Sequence, residues 1–463
     1  MTLTKNQIIR VKIESMNDLG NGVARVDGFC VFVTGAVMGD ECYARIIKVT
    51  SGYAVARLET LVVPSPYRVP DTCTAKGCGG CAYRLLDYKE ELREKEKDVA
   101  FAFRKAGLSS VTVLPTVSTG ATDGYRNKAQ YPVAATKDGI VAGFYAPHSH
   151  RVVPAADCPL QAKVFSPIVK AFVDFMKEKG IAAYDEESGT GYVRHLYLRT
   201  SRDESAVLFT VVVNAESLPY EKEMVETLTT RFPSITGILL NIHKEKTNVV
   251  TGDRYRTLYG SDTLIDTLCG VTLEIPPQSF YQVNHDAAEL LYKKAAELLM
   301  LRGDETLLDL YCGVGSVGLS MADRVRRLIG IEIVPEAIEY AKKNAARNGV
   351  KNAYFFCGDA KDTEKLLSAA ESEIGEIRPD AVVLDPPRKG CSPDLVSFVA
   401  RRLAPPKIAY ISCNPDTLAR DCALFADYGY EIGDVTPFDL FPRTGHVESV
   451  VCLTRGFDVD MRR

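Results

Sequence analysis

Thr306-Leu-Leu-Asp-Leu-Tyr-Cys-Gly-Val-Gly-Ser-Val-Gly318 runs from an apolar strand straight into a glycine-rich turn and then a helix start. Glycines at such a junction let the backbone come close to a ligand at the carboxyl end of the strand. A single G-x-G turn is weak evidence, so the next strand serves as a test. It ends in Ile329-Gly-Ile-Glu332, an acid about 20 positions past the turn, where a carboxylate can accept from both hydroxyls of a ribose. The neighbouring segments alternate: helix 286–301, strand 306–310, helix 316–323, strand 327–332, helix 335–347, strand 353–357, strand 380–384, helix 393–403, strand 407–412, helix 416–427 and strand 446–453. That order predicts a mostly parallel, Rossmann-like α/β sheet with helices on both faces.

Turn and acid also suit a dinucleotide site, and a third feature separates the two. Asp359 lies in Cys357-Gly-Asp-Ala360, and Asp385 in Val382-Val-Leu-Asp-Pro-Pro-Arg388. A strand ending in Asp-Pro-Pro holds its carboxylate on a loop with two fixed φ angles, above the sheet. Each acid alone reads equally well as an N-cap or a surface carboxylate. The ordered set D-L-x-C-G-x-G, I-E, G-D-A and D-P-P-R resembles class I S-adenosylmethionine-dependent methyltransferases and not dehydrogenases.

Ile408-Ala-Tyr-Ile-Ser-Cys413-Asn-Pro-Asp-Thr-Leu-Ala-Arg-Asp421 is a strand, a cysteine and a helix start, with Pro415 near the first turn. A thiol just before a helix N-terminus sits in the field of unpaired N–H groups, so a lowered pKa is expected for Cys413. Most single cysteines are inert core residues, and the neighbours decide. Ser412-Cys-Asn-Pro-Asp-Thr-Leu-Ala-Arg-Asp and Phe441-Pro-Arg-Thr-Gly-His-Val-Glu448 resemble the two closing motifs of the RNA 5-methyluridine methyltransferase family. The resemblance implies Cys413 as nucleophile and Glu448 as general base. C5 of uracil is too weakly nucleophilic to take a methyl group unaided, whereas thiolate addition at C6 creates an enolate that can attack a sulfonium methyl. A base then removes the C5 proton. Glu448 opens the apolar run Ser449–Leu453, where partial desolvation would strengthen it; without the family it reads as a surface strand residue.

The same resemblance carries Gln282, Tyr311, Ser316, Glu332 and Asp359 over as cofactor contacts, with Asp385 beside both cofactor and uracil. Phe280 is a candidate to stack on a base, or a core aromatic. Arg126 and Lys128 in Tyr125-Arg-Asn-Lys-Ala129, Gly143-Phe-Tyr145, and Arg194 beside His195 are candidates for the RNA groove. The target uridine must be splayed or flipped to reach a pocket.

Cys73-Thr-Ala-Lys-Gly-Cys78-Gly-Gly-Cys81, with Cys158-Pro159 as a distant fourth, offers four thiolates. Spacing alone leaves zinc, an iron–sulfur cluster and unliganded thiols open. The C-G-G-C segment with a remote Cys-Pro resembles the four-cysteine 4Fe–4S site of part of the family, although four residues, not the family's usual five, separate Cys73 from Cys78. Residues 5–62 alternate in short runs broken by Gly20, Gly22, Gly28, Gly35, Gly39 and Gly52, which predicts a small OB-like β-barrel. Gly20-Asn-Gly-Val-Ala-Arg25, Val31-Phe-Val33 and Gly39-Asp40 resemble the TRAM domain, which implies RNA binding. Its Arg and Lys residues read one by one as solvated surface.

The 463 residues suit several domains, and the prolines of Val63–Pro70 mark the first joint. The expected division is a barrel at 1–63, an α+β central domain at 71–270 and the methyltransferase domain at 271–463, with a helix at about 85–106 packing on the last. A net charge of −4 requires that any polyanion meet a local basic surface. Thirteen cysteines, an odd number spread along a chain without Trp, fit no secreted disulfide framework. The opening MTLTKNQIIRVKI lacks the pattern of a secretory signal, and no apolar run approaches the about 18 residues a membrane span needs. A cytoplasmic monomer is expected. In order and content the motifs resemble bacterial 23S ribosomal RNA (uracil-C5)-methyltransferases with a TRAM domain and a 4Fe–4S cluster. The alternatives are a tRNA uracil-C5 methyltransferase, whose kind commonly lacks barrel and cluster, and a catalytically inactive RNA-binding module.

Overall fold

A computed structural model describes residues 3–456. Near the N-terminus, β1 (Ile8–Lys12), β2 (Ser15–Met16), β3 (Gly22–Val26), β4 (Phe29–Thr34), β5 (Glu41–Val49) and β6 (Tyr53–Val63) form one six-stranded sheet in the order β1-β5-β6-β4-β3-β2. Every pairing is antiparallel except β4 with β6. Alternate residues such as Val31, Val33, Ala44, Ile46, Ala54 and Ala56 fill its interior, as the period-two pattern requires. The buried Asp40 carboxylate ties off the sheet end, accepting from Val37 N (2.7 Å), Ser65 N (2.8 Å) and the Arg68 guanidinium.

The chain then crosses the cysteine loop to α1 (Tyr88–Lys105), capped by Asp87, whose side chain accepts from Lys89 N. Next come β7 (Lys128–Thr136), β8 (Gly139–Tyr145), β9 (Val152–Pro154), α2 (Phe165–Lys179), β10 (Val193–Thr200), β11 (Val207–Val213), α3 (Glu221–Arg231), β12 (Ile235–Ile242) and β13 (Arg254–Gly260). Their seven-stranded sheet runs β13-β12-β11-β10-β7-β8-β9, with β11 and β12 parallel. Strands β10 and β11 are buried along their whole length, and α2 closes the core with Phe165, Ile168, Phe172 and Met176.

A hairpin, β14 (Leu264–Leu268) and β15 (Val271–Ile275), leads into the C-terminal part: α4 (His285–Leu299), β16 (Thr306–Leu310), α5 (Ser316–Leu319), β17 (Arg327–Glu332), α6 (Pro335–Arg347), β18 (Ala353–Cys357), α7 (Thr363–Ile374), β19 (Ala381–Leu384), α8 (Pro393–Phe398), β20 (Lys407–Ser412), α9 (Pro415–Asp427), β21 (Tyr430–Ile432), β22 (Thr436–Phe438) and β23 (Glu448–Arg455). The sheet order is β18-β17-β16-β19-β20-β23-β21, with β22 also on β23. The first five are parallel, and β23 enters antiparallel to β20. Separate apolar clusters cover its two faces, so the expected Rossmann-like architecture is what the chain adopts. The expected helix 316–323 stops at Leu319 and resumes as a single 3-10 turn, Ala322–Arg324. Helix 393–403 turns into a wider π turn, Val399–Leu403, ended by Ala404 in the left-handed region. Helix α7 and strands β21 and β22 lay outside the sequence reading.

Helix α1 precedes the central sheet in sequence but packs on the last one: Val99, Ala102 and Phe103 lie in one apolar cluster with Leu418, Cys422 and Phe425 of α9. Among the described residues no helix is long and apolar enough to cross a membrane.

Candidate active site

The carboxyl ends of β16, β17, β19 and β20 gather the motif residues. After β16, Tyr311 takes a positive φ of 69°, and the N–H groups of Tyr311 and Cys312 both donate to Ile331 O of β17 (3.0 and 3.1 Å). The glycine turn is thereby clamped to the neighbouring strand. Gly318 must be glycine because a Cβ there would lie 2.8 Å from Asp309 Oδ2. That oxygen accepts from Gly318 N at 2.9 Å, and burial raises the Asp309 carboxyl to about 8. Glu332 ends β17 half-buried, its Oε2 accepting from Gly313 N (3.1 Å) and its Oε1 from Val334 N (3.0 Å). Each oxygen keeps a lone pair for a ligand hydroxyl. Ser316 starts α5, with its side chain beside the buried Tyr292 of α4. Asp359 follows β18, half-buried on the same side of the sheet. Gln282 is 3% exposed and its Oε1 has no partner in the protein, while its carbonyl accepts from Asn127 Nδ2 (3.0 Å). A cradle of turn glycines, a ribose-placed carboxylate and an orphaned buried amide oxygen suits S-adenosylmethionine.

Strand register brings Cys413, Glu448 and Asp385 together. Ser412 of β20 pairs with Ser449 of β23, so the next residues outward, Cys413 and Glu448, leave the sheet side by side. Leu384 pairs with Tyr410, and Asp385 follows on the adjoining strand. Glu448 is 4% exposed, and burial first, then the Asp385 charge, drives its carboxyl well above the usual range; Arg388 opposes this. Burial likewise lifts Asp385 to about 7. The Cys413 thiol stands at about 11, not lowered as its position before a helix suggested. Burial is the largest cause, followed by Glu448, while Arg388 pulls it down. The helix offers little relief because Asn414 caps it: Oδ1 already accepts from Asp416 N (3.0 Å) and Thr417 N (3.4 Å).

Arg388 and His446 join this group without having been singled out. Arg388 O accepts from Asn414 Nδ2 (3.1 Å) and Thr417 Oγ1 (3.2 Å), which ties the Asp-Pro-Pro loop to the cap of α9, and its Nη2 lies 3.3 Å from His446 Nε2. Their sequence signal was membership of the two motifs that hold Asp385 and Glu448.

A cavity of about 780 Å³ runs from Arg388 and His446 to the cysteine loop, lined also by Arg126, Lys128, Phe441, Arg443 and the four cysteines. Burial, with Arg199 and Arg126 beside it, lowers Lys128 to about 8. Arg194 is placed differently: 6% exposed, it stacks on Tyr184 and gives Nη1 to His243 O (2.8 Å) and Glu245 O (2.7 Å). Phe280 is 68% exposed, on a segment fastened by Tyr197 OH to Pro277 O (2.7 Å) and Arg199 Nη2 to Ser279 O (2.8 Å). Burial pushes Cys81 up to about 12, helped by Cys158, Cys78 and Cys73, so the four thiols feel one another. They share a cavity wall but do not form a coordination shell: among the described residues no group of three or more His, Cys, Asp or Glu side chains is placed to hold a metal ion.

Fold and site together define a Rossmann-type methyltransferase preceded by a nucleic-acid-binding barrel. A model of the tRNA (uracil-5-)-methyltransferases matches residues 270–456, and one of the TRAM domain matches residues 3–58. An uncharacterized RNA methyltransferase of Halalkalibacterium halodurans is 37% identical, covering 97% of this chain and 98% of its own. One from Clostridium acetobutylicum is also 37% identical over the same shares. Among solved structures, the Pyrococcus abyssi tRNA (uracil-54, C5)-methyltransferase in complex with S-adenosyl-L-homocysteine superposes with a TM-score of 0.76 at 28% identity, covering 96% of this chain and 100% of that one. The chain belongs to the S-adenosylmethionine-dependent RNA (uracil-5-)-methyltransferase family.

Proposed function

We propose that the protein methylates C5 of a uridine in 23S ribosomal RNA through a covalent Cys413–C6 adduct, with RNA held across units 1–63, 71–270 and 271–463. The observation that carries this reading is the emergence of Cys413, Glu448 and Asp385 from neighbouring strands at one end of the sheet. Bound S-adenosylmethionine supplies an electrophilic methyl group on a sulfonium, held by Gln282, Tyr311, Ser316, Glu332, Asp359 and Asp385. Cys413, as thiolate, forms a bond to C6 of the flipped uracil, and the electron pair moves through the C5–C6 bond onto the C4 carbonyl oxygen. C5 then takes the methyl group, leaving the sulfur neutral. Glu448, as carboxylate, removes the C5 proton; the C6–S bond breaks and Cys413 leaves as thiolate. A buried carboxylate is the stronger base for that step. Arg388, which lowers both Cys413 and Glu448, favours the charged form of each. Arg126 and Lys128 face the cavity with cationic groups suited to RNA phosphates.

Cys73, Cys78, Cys81 and Cys158 would hold a 4Fe–4S cluster in a structural or RNA-contacting role, since methyl transfer needs no redox step. Four mutually interacting thiols on one cavity wall support it. Iron and sulfide in anaerobically purified protein are the expected result, and zinc alone would remove the cluster. A tRNA substrate is the second reading, favoured by the P. abyssi enzyme, whose match extends over 96% of this chain and so reaches into the barrel. The barrel therefore does not discriminate between the substrates.

With RNA containing 5-fluorouridine, whose C5 fluorine cannot leave as a proton, wild type should trap a covalent complex that Cys413→Ala loses. A wild type that traps no cellular RNA points to a binding module. Mapping 5-methyluridine in ribosomal and transfer RNA of a deletion strain decides the substrate.

A further inference from the structure

Helix α1 buries charge where an amphipathic helix would bury apolar groups. Lys95, Glu91 and Asp439 all have fully buried side chains, and Asp439 comes from the loop that precedes the catalytic strand β23. The Lys95 ammonium spends its three protons on Glu91 Oε1 (2.9 Å), Asp439 Oδ1 (2.7 Å) and Phe441 O (3.2 Å). Glu91 Oε1 also accepts from Arg443 N (2.7 Å), and Tyr88 OH donates to Asp439 Oδ2 (2.8 Å). Arg443 itself sits at a positive φ of 70°, its guanidinium 5.4 Å from the Tyr88 ring centre and bonded to Leu86 O (3.0 Å). One face of α1 thus grips the loop at Asp439, Phe441 and Arg443, and that loop delivers His446 and Glu448.

A buried ion triad is a poor device for stability, because well-packed apolar residues of similar volume often do as well or better. What it supplies is a fixed geometry that apolar packing does not dictate. We propose that the Lys95–Glu91 pair of α1, with Tyr88, positions the Asp439–Arg443 loop so that Glu448 stands where the C5 proton must be taken. This rests on Glu448 being the base. Lys95 touches neither substrate, so it is a positioning residue, and its loss should slow the proton-removal step and spare the binding steps.

The test uses the full chain and RNA with unmodified uridine. Lys95→Met should lower kcat by about 10- to 100-fold, with KM for RNA falling alongside it and equilibrium affinities for RNA and S-adenosylmethionine within about threefold of wild type. It should also accumulate the covalent RNA–protein adduct on denaturing gels, because addition to C6 precedes the step that Glu448 performs. Val99→Ala, a buried apolar truncation on the same helix outside the hydrogen-bonded Lys95–Glu91–Asp439 set, should lower the melting temperature and accumulate no adduct. Tyr88→Phe removes one hydroxyl from Asp439 and should slow turnover by about threefold with some adduct, a reading that holds even if Lys95→Met does not fold. Wild-type turnover in Tyr88→Phe, or in folded Lys95→Met, overturns the proposal. So does a loss of activity in Lys95→Met that follows melting temperature as it does in Val99→Ala, without adduct. Glu448→Gln run in parallel separates the two ideas: if it turns over normally the base assignment fails, and if it alone stalls with adduct the positioning role fails.

Discussion

Gly445 offers a direct probe of how the barrel meets the catalytic loop. A Cβ at this position would lie 1.7 Å from Asp18 O and 2.5 Å from Asp18 C, backbone atoms of the barrel loop that follows β2. Neither side has room to yield locally. Gly20, on the far side of that loop, would itself place a Cβ 2.1 Å from Ala82 O, while Tyr83 bonds Asn17 O (3.2 Å) and Arg443 O (3.0 Å). Real Cβ contacts stay above 3.0 Å, so Gly445→Ala must separate the barrel loop from the catalytic loop by about 1.3 Å or more. Overpacking of this kind costs about 1–3 kcal/mol, and it falls on a contact between units rather than within a core. The loop runs on to Glu448 three residues later, and a misplacement of about 1 Å in a reacting group costs on the order of 100-fold in rate. Initial rates with saturating RNA and S-adenosylmethionine should therefore fall by tens to about 100-fold, with circular dichroism unchanged. Gly52→Ala, a barrel glycine with nothing within 4 Å of its Cβ, is the control and should be neutral. A Gly445→Ala enzyme within twofold of wild type would show that the barrel contact does not bear on the site.

Glu332→Gln keeps one acceptor oxygen where two backbone N–H groups and a ribose need them; calorimetry should show S-adenosylmethionine binding weakened by about 10- to 100-fold, and unchanged affinity would remove Glu332 from the ribose role. Asp98 is raised to about 7, by burial first and then by Glu94 and Asp18, against about 3.9 when unfolded. A carboxyl raised in the folded state is neutral in both states below about pH 4, and its contribution to stability falls as pH climbs from 4 to 7, because the unfolded chain ionises first. Asp98→Asn should match wild type in melting temperature near pH 4 and exceed it increasingly up to pH 7, with a constant gap above; a gap that shrinks with pH contradicts this. Alkylation of Cys413 by iodoacetamide in the ligand-free protein should still rise above pH 9, as a thiol near 11 requires, and a plateau below pH 8 would refute the burial that raises it.

Much of the C-terminal sheet was legible because its parallel strands are short, mostly apolar runs with a distinctive residue at or just past the end, as with Glu332 on β17, Asp385 after Ala381–Leu384 and Cys413 after Lys407–Ser412. Helix α7 escaped because Thr363–Ile374 buries only Thr363, Leu367 and Ala370, too thin a stripe to announce itself. The electrostatics were harder to read. A position before a helix suggests an activated thiol at Cys413, but a local pattern cannot show that Asn414 consumes the first N–H groups or that Glu448 and Asp385 crowd in from other strands. Arg194 looked like an RNA contact by motif and is spent on two carbonyls, because only the folded chain brings His243 and Glu245 to it. Lys95 is the reverse case. Within Glu90-Glu-Leu-Arg-Glu-Lys-Glu-Lys97 it reads as one more solvated charge, and its partner is 344 positions away.

The direction of the last strand explains why so much structure converges on the loop before it. In a parallel sheet, residues that face a ligand follow their strands, and Asp385 and Cys413 do so after β19 and β20. Strand β23 runs the other way, so the residue it brings to that end is its first, Glu448, and the chain must cross above the site before the strand begins. That crossing segment, Asp439–Val447, has no ladder to fix it, since β22 ends at Phe438. Its geometry must come from outside the sheet. Helix α1 supplies it through Lys95, Glu91 and Tyr88, the barrel loop through Asp18 against Gly445, and the Asp-Pro-Pro loop through Arg388 against His446. Elements far apart in sequence therefore meet around Glu448, because an antiparallel strand carries it in through a loop.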